Sequence, residues 1–307
     1  MIDGIKFEFE IEDINEFKKY LNISFTNDVD AATGEIKPNR FGTIISRGKL
    51  ENYDINLKES RGRTFVHVKG SLHKNYQNGE NYERFTFENM QDELMHIQDV
   101  FNVSLKAVRI KNIEIGVNLE VDFEPYDCLQ KNLLSYKGKD FRSFSPNKID
   151  ASIIGFDCEL SQYKLKIYDK GKQYKVKGKN LLRFEIKVFK MHCLKKYELQ
   201  TLDDLTDEQK VLSLKQFLLD KLGQIIFDDA EISTEKLNAK QLSTLNQGRL
   251  KNSWSRIKKL SCCQRQRKRN RFNKIINVHG ISYGQKLRKA INKEWDLVFD
   301  KSGMFLL

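Results

Sequence analysis

Apolar and polar residues alternate with period two through the first two thirds of the chain. Ile5 to Ile11 (IKFEFEI), Phe41 to Ile45, Tyr53 to Leu57, Thr64 to Lys69, Ile113 to Val121, Lys164 to Tyr168 and Leu181 to Val188 each read as a half-buried strand, because successive side chains of a strand point to opposite faces. Helical spacing takes over in Asp13 to Tyr20, in Glu88 to Phe101 and in Pro125 to Leu134, the last opening on a proline that suits a first helical turn. Strands interrupted by a few helices, without regular strand-helix alternation, predict an α+β fold with a mainly antiparallel central sheet and flanking helices. From about Leu194 the pattern changes: Tyr197 to Asp220, Ser233 to Lys259 and Arg265 to Trp295 are helical in period. This divides the chain near residue 200 into residues 1–200 and a helical C-terminal region, 201–307.

The alternation also sorts each strand into faces. In Asn112 to Glu120 the four apolar residues share one face, and Asn112, Glu114, Gly116, Asn118 and Glu120 share the other. Opposite Leu165 and Ile167 lie Lys164, Lys166, Tyr168 and, if the strand continues, Lys170; in Leu182 to Val188 the polar side carries Arg183, Glu185 and Lys187. If these strands are neighbours, Glu114, Glu185 and Tyr168 meet on one face among lysines. Two carboxylates can hold a hard cation, Mg²⁺ or Mn²⁺, that polarises a phosphoryl oxygen. A tyrosine among ammonium groups has its phenolate favoured and can attack a phosphodiester. Taken singly, each of these residues is an ordinary strand residue; only their joint placement points to chemistry.

Charge supports a polyanionic partner. The 307 residues include 54 Lys plus Arg and 42 Asp plus Glu, for a net charge of +12. All of that excess lies in residues 251 to 307, with 15 basic and 3 acidic residues, so the preceding 250 are neutral overall. Within the neutral part, residues 164 to 190 hold ten Lys/Arg against Asp169 and Glu185. Nucleic acid is the expected partner of two such patches. No apolar run approaches the roughly 18 residues of a spanning helix and no signal peptide is visible, so a cytoplasmic location without membrane contact is expected. Five cysteines, odd in number and without a CxxC pair, argue against a zinc site and a disulfide framework.

Five segments carry a resemblance: the opening Met1-Ile2-Asp3-Gly4; Gly70-Ser71-Leu72-His73-Lys74 with Asn78-Gly79-Glu80-Asn81 and Phe85-Thr86-Phe87; Ile113 to Asn118; Leu165-Lys166-Ile167-Tyr168-Asp169-Lys170; and Leu182-Arg183-Phe184-Glu185-Ile186. In these, over residues 1 to about 200, the chain resembles the rolling-circle replication initiators of filamentous phages (the gene II type) and the related plasmid initiators of the Rep_trans group. The resemblance implies a metal-dependent nicking and joining endonuclease. Its tyrosine cuts one strand at an origin, keeps the 5′ phosphate and leaves a 3′ hydroxyl for synthesis. It makes Tyr168 the nucleophile with Lys170 and Arg183 beside it, Glu114, Glu185 and His73 the ligands of Mg²⁺ or Mn²⁺, and origin DNA, single-stranded and supercoiled, the partner, with a host helicase and polymerase following. Gln173 stands where the family has an acid, Glu114 where it has an aspartate, and the His-hydrophobic-His pair of better-known rolling-circle enzymes is absent, since His67 and His73 are six apart.

Lys74, Lys164 and Lys166 are the expected phosphate contacts near this chemistry, and the Asn78-Gly79 pair is expected to make a hairpin turn. In the tail, Arg265-Gln266-Arg267-Lys268-Arg269-Asn270-Arg271 opens one helix, and Tyr283 to Trp295 forms a second beyond Gly280. Arg267, Lys268, Arg269 and Arg271 then face duplex DNA, either in a helix-turn-helix or in a helical hairpin that packs on the rest of the protein and touches only phosphates. The non-catalytic alternative is a DNA-binding protein of the same fold, a repressor or mobilization accessory factor.

Overall fold

The computed structural model describes residues 1–146, 152–250 and 252–300. The first half contains β1 (Ile2–Ile11), α1 (Ile14–Leu21), β2 (Thr26–Asn27), β3 (Ile44–Leu50), β4 (Tyr53–Ser60), β5 (Arg63–Ser71), α2 (Leu72–Tyr76), α3 (Phe87–Phe101) and β6 (Arg109–Glu120). Then follow α4 (Pro125–Asn132), β7 (Leu133–Tyr136), β8 (Lys139–Asp140), β9 (Arg142–Phe144), β10 (Gly155–Glu159), β11 (Tyr163–Asp169), α5 (Lys170–Tyr174) and β12 (Leu181–Val188). The rest is mostly helical: α6 (Glu208–Leu222), β13 (Ile225–Phe227), α7 (Ala239–Arg249), α8 (Ser253–Arg256), α9 (Cys262–His279) and α10 (Tyr283–Val298).

Ten of the strands form one antiparallel sheet in the order β2-β3-β4-β5-β1-β6-β12-β11-β10-β9, while β13, β7 and β8 make a small second sheet. The α+β expectation holds. One face of the large sheet is apolar because its strands alternate: Phe7 of β1, Ile115 and Val117 of β6, Leu165 and Ile167 of β11, and Phe184 and Ile186 of β12 are all buried. Helices α3, α6 and α10 cover this face with Leu94, Leu214 and Trp295 in the same core. Burying a large apolar side chain contributes roughly 1.5–3 kcal/mol, so this layer is the main source of stability. The opposite face is left polar.

Local chemistry sets the helix limits. Thr86 and Asn89 form a reciprocal capping box at the start of α3, and Asn102, in the left-handed region at φ 46°, ends it. The helical period from Tyr197 to Asp220 starts as a helix only at Glu208, where the Asp207 carboxylate accepts from two backbone N–H groups. Ser233 to Lys259 is likewise broken, with α7 beginning at an Asn238–Gln241 capping box. The Phe41 to Ile45 strand is shifted to Ile44–Leu50. Asn78 and Gly79 both have positive φ but follow helix α2, so the expected hairpin is a helix-terminating turn instead.

The C-terminal region does not fold apart from the sheet. Leu214 and Leu218 of α6 and Leu287, Ile291 and Trp295 of α10 belong to the main core, whereas Ile226, Leu245, Trp254, Phe272 and Ile276 gather in a smaller one beside it. Ion pairs Arg84–Glu294, at 2.7 Å, and Lys286–Asp122, at 2.7 Å, tie α10 to the first two hundred residues. Of the two arrangements expected for the tail, α10 thus takes the packed one. Among the described residues no helix is long and apolar enough to cross a membrane.

Candidate active site

Strands β6, β12, β11 and β10 are in register such that three rows of side chains cross the polar face. The first row is Asn118, Arg183, Tyr168 and Gly155; the second is Gly116, Glu185, Lys166 and Asp157; the third is Glu114, Lys187, Lys164 and Glu159. The face sorting read from the sequence is therefore correct. Two glycines make room for the functional groups beside them. A Cβ at Gly116 would lie 2.5 Å from the Cβ of Glu185, and one at Gly155 would lie 2.2 Å from the Cβ of Tyr168, so neither position admits a side chain without displacing its neighbour.

Arg183 is the centre of the site and is 1% exposed. Its Nε donates to Glu185 Oε2 at 2.6 Å, Nη1 to Asn118 Oδ1 at 2.8 Å and Nη2 to Asp3 Oδ2 at 2.9 Å. A guanidinium is suited to this because its donors are fixed in one plane. Glu185 accepts from Lys166 Nζ at 2.6 Å on its other oxygen, and the Tyr168 hydroxyl lies 3.4 Å from Oε2. Asp3 also accepts from Asn81 Nδ2 at 2.6 Å and from the Ser71 hydroxyl. Asn81 in turn accepts on Oδ1 from Lys170 Nζ at 2.7 Å and from the Tyr174 hydroxyl at 2.6 Å. Lys170 is turned inward because it opens α5, whose preceding residue Asp169 caps the backbone N–H of Lys172 at 2.7 Å.

Burial and these partners set the protonation states. Burial pushes the Glu185 carboxyl up, but the Lys166 ammonium and the Arg183 guanidinium outweigh it and hold the group well below the usual carboxylate range. Asp3 is held down in the same way, burial being outweighed by Arg183 and the Ser71 hydroxyl. The Tyr168 phenol moves the other way: burial and the Glu185 charge push it well above its ordinary value. This corrects the expectation of a favoured phenolate, because Lys164, Lys166 and Lys187 are matched to carboxylates and Glu185 is the nearer charge. Burial, with Arg183 nearby, lowers the Lys170 ammonium to about 7.

The residues expected to hold a metal are not assembled as a donor set. Both Glu185 oxygens are engaged by cations. Glu114 is paired with Lys187, its partner in the next strand. His73 is buried, stacked on the Phe85 ring at 4.7 Å and joined to Gln77 at 2.9 Å, and burial lowers its imidazole to about 3. Among the described residues no group of three or more His, Cys, Asp or Glu side chains is placed to hold a metal. These residues therefore do not fit a divalent cation in this arrangement, and the positive charge comes from Arg183, Lys166 and Lys170.

The expected DNA contacts fall into three places. Lys74 borders the site, its charge being one that lowers Lys170. Lys164 pairs with Glu159 at 2.8 Å and Lys166 with Glu185, both within the three rows. Arg267, Lys268 and Arg271 are exposed on α9, while Arg269 is half-buried. Sequence reasoning did not assign site roles to Asp3, Asn81 or Asn118, although all three stand in the segments that carried the resemblance. Asp157, which faces Arg142 at 3.1 Å, lies in β10, a five-residue strand that the sequence reading did not assign although Phe156 and Cys158 alternate there with Asp157 and Glu159.

No protein-family model matches the sequence, and no curated protein matches it. Among solved structures, a rolling circle replication initiator protein from Geobacillus stearothermophilus is similar over 88% of this chain and 96% of its own, with a TM-score of 0.40 and 13% identity. Similarity at that level establishes neither the chemistry nor the partners of this chain.

Proposed function

We propose that this chain nicks and rejoins DNA in the manner of a rolling-circle replication initiator, with Tyr168 as the nucleophile. The observation that carries this reading is the convergence of Asp3, Asn81, Asn118, Tyr168, Lys170, Arg183 and Glu185, from five separated segments, into one hydrogen-bonded cluster on the polar face of the sheet. A structural role alone does not call for so many buried ionised groups, since desolvating each costs several kcal/mol. Clusters of this kind mark functional sites.

In the reaction, the Tyr168 oxygen bonds to phosphorus as the bond from phosphorus to the 3′ oxygen breaks. The phenol gives up its proton and the leaving 3′ oxygen gains one, so the products are a 5′-phosphotyrosine and a 3′ hydroxyl, which a host polymerase behind a helicase would extend. Lys170, lowered to about 7, is the group that can take or return a proton near neutral pH. Arg183, with Asp3 and Glu185 fixing it, presents its charge to the phosphoryl oxygens. The Glu185 oxygens that would hold Mg²⁺ or Mn²⁺ are engaged by Lys166 and Arg183, and no step is routed through a metal.

One observation favours the non-catalytic alternative: Tyr168 is 5% exposed, covered in part by the Phe144 ring at 5.3 Å. Supercoiled DNA carrying the origin of the encoding element separates the two readings, when incubated with Mg²⁺, with Mn²⁺ and with a chelator. A nickase gives open circles with a protein-blocked 5′ end. A repressor or accessory factor shifts the DNA and leaves it intact.

A further inference from the structure

Helix α9 has two basic sides. Arg265, Arg267, Lys268 and Arg271 are exposed and Arg269 is half-buried; Arg265 and Arg269, one turn apart, lie along the side that continues into the buried Phe272 and Ile276. On that side is a cavity of about 740 Å³, bounded by α8, α9 and the turn between β7 and β8. Leu160, Ile226, Trp254 and Ile257 supply its apolar lining, and Lys137, Lys139, Arg265 and Arg269 its charge; among the described residues no Asp or Glu lines it.

These four cations differ from those of the catalytic face, where Lys164, Lys166 and Lys187 are each matched to a carboxylate. Lys139 donates to the backbone carbonyl of Glu159 at 3.0 Å, and Arg269 to the Gln266 amide at 2.6 Å. Lys137 stands over the rings of Tyr136 and Tyr163, at 5.8 and 5.7 Å. The partners that hold Lys137 and Arg269 are neutral, Lys139 also feels the Glu159 carboxylate whose backbone it holds, and burial lowers the Arg269 guanidinium below its ordinary value. The Trp254 indole is held edge-to-face on Phe272, at 5.3 Å, with its N–H donated to the Gly248 carbonyl at 2.9 Å, so carbon surface is what it offers the cavity.

We propose that this cavity binds a nucleotide, with the base against the Trp254 wall and the phosphate among Arg265, Arg269, Lys137 and Lys139. A ligand for it must be flat and apolar at one end and anionic at the other. A nucleotide is both, the volume lies in the range of small-molecule sites, and base-aromatic contact tolerates any base. The nucleotide comes either from a DNA strand or from solution. The proposal rests on the nicking function only for the first of these sources.

Tryptophan emission from the intact protein tests this. Of the two tryptophans, Trp295 is fully buried in the main core, whereas Trp254, though only 7% exposed, lines the cavity, so a ligand-dependent change reports on Trp254. Titration with deoxyadenosine 5′-monophosphate is expected to quench emission saturably, adenosine to bind about tenfold or more weakly, and the Arg265→Gln/Lys139→Gln variant to weaken the nucleotide by about tenfold or more, as removal of charge-assisted hydrogen bonds requires. A short single-stranded oligonucleotide that competes assigns the nucleotide to DNA; one that does not assigns it to the free pool. Absence of saturable quenching, inorganic phosphate competing as well as the nucleotide, or an unchanged affinity in the double variant overturns the proposal. The titration involves no cleavage, so its outcome stands whether or not Tyr168 cuts DNA.

Discussion

The Tyr168 hydroxyl lies 3.4 Å from Glu185 Oε2, the same oxygen that Arg183 Nε holds at 2.6 Å. The phenol is thus aimed at a carboxylate that two cations keep ionised, which makes Glu185 an orienting group and a poor base. In the proposed reaction the proton released on attack would go to a group that titrates near neutrality. In this cluster that group is Lys170.

Removing only the Tyr168 oxygen separates chemistry from structure. Tyr168→Phe is expected to abolish nicking of supercoiled DNA, to leave DNA binding intact in a gel-shift titration, and to change urea-unfolding stability by no more than about 1 kcal/mol, because Glu185 keeps its shorter bonds to Arg183 and Lys166. A large loss of stability would place Tyr168 in a structural role.

Arg183→Met leaves Asp3 and Glu185 buried without their common cation. Breaking a buried ion pair from one side costs about 3–5 kcal/mol, so the variant is expected to unfold at markedly lower urea concentration. Replacing both Arg183 and Glu185 with apolar residues of similar size recovers part of that loss while leaving nicking absent.

Lys170 makes stability depend on pH. Its ammonium is near 7 in the folded protein and near 10.5 in the unfolded chain, so between these values the unfolded state binds more protons and stability rises with pH. Below about 7 both states are protonated and the burial cost is present in full. Lys170→Met is expected to flatten the stability profile between about pH 7 and 10, and the nicking rate of the native protein to rise through about pH 7. A slope unchanged in the variant would assign the titration to another group.

The exposed charges of α9 are tested by neutralisation, since truncating the tail would also remove α10 and with it Leu287, Ile291 and Trp295 from the main core. Arg267→Gln, Lys268→Gln and Arg271→Gln together are expected to lower duplex affinity and to flatten the dependence of log K on log salt by about 0.9 for each phosphate that is no longer neutralised. An unchanged slope would move the duplex-binding surface to the catalytic face.

Much of this was legible because period-two alternation is a local signal. It placed Arg183, Glu185, Lys166 and Tyr168 on one face before any pairing was known, and the pairing then made them neighbours. What alternation cannot show is contact across distant segments. Asp3 reaches Arg183 across 180 positions and Asn81 reaches Lys170 across 89, so neither contact has a periodic trace. Protonation was misread for the same reason: Tyr168 was seen among lysines, while the carboxylates that neutralise them become neighbours only in the folded sheet. The tail was legible as helices, but α10 covers the sheet through Trp295 and Ile291, which helical spacing alone leaves undecided between a separate unit and a lid on the core.

The most direct test is to identify the residue that becomes attached to DNA. The native protein, trapped on an origin oligonucleotide and digested with protease and nuclease, is expected to yield by mass spectrometry one peptide spanning Tyr168 with a nucleotide phosphate on the tyrosine. An adduct on Tyr174, Tyr163 or Tyr76, or none from DNA that is demonstrably cut, would contradict the assignment of Tyr168 as nucleophile.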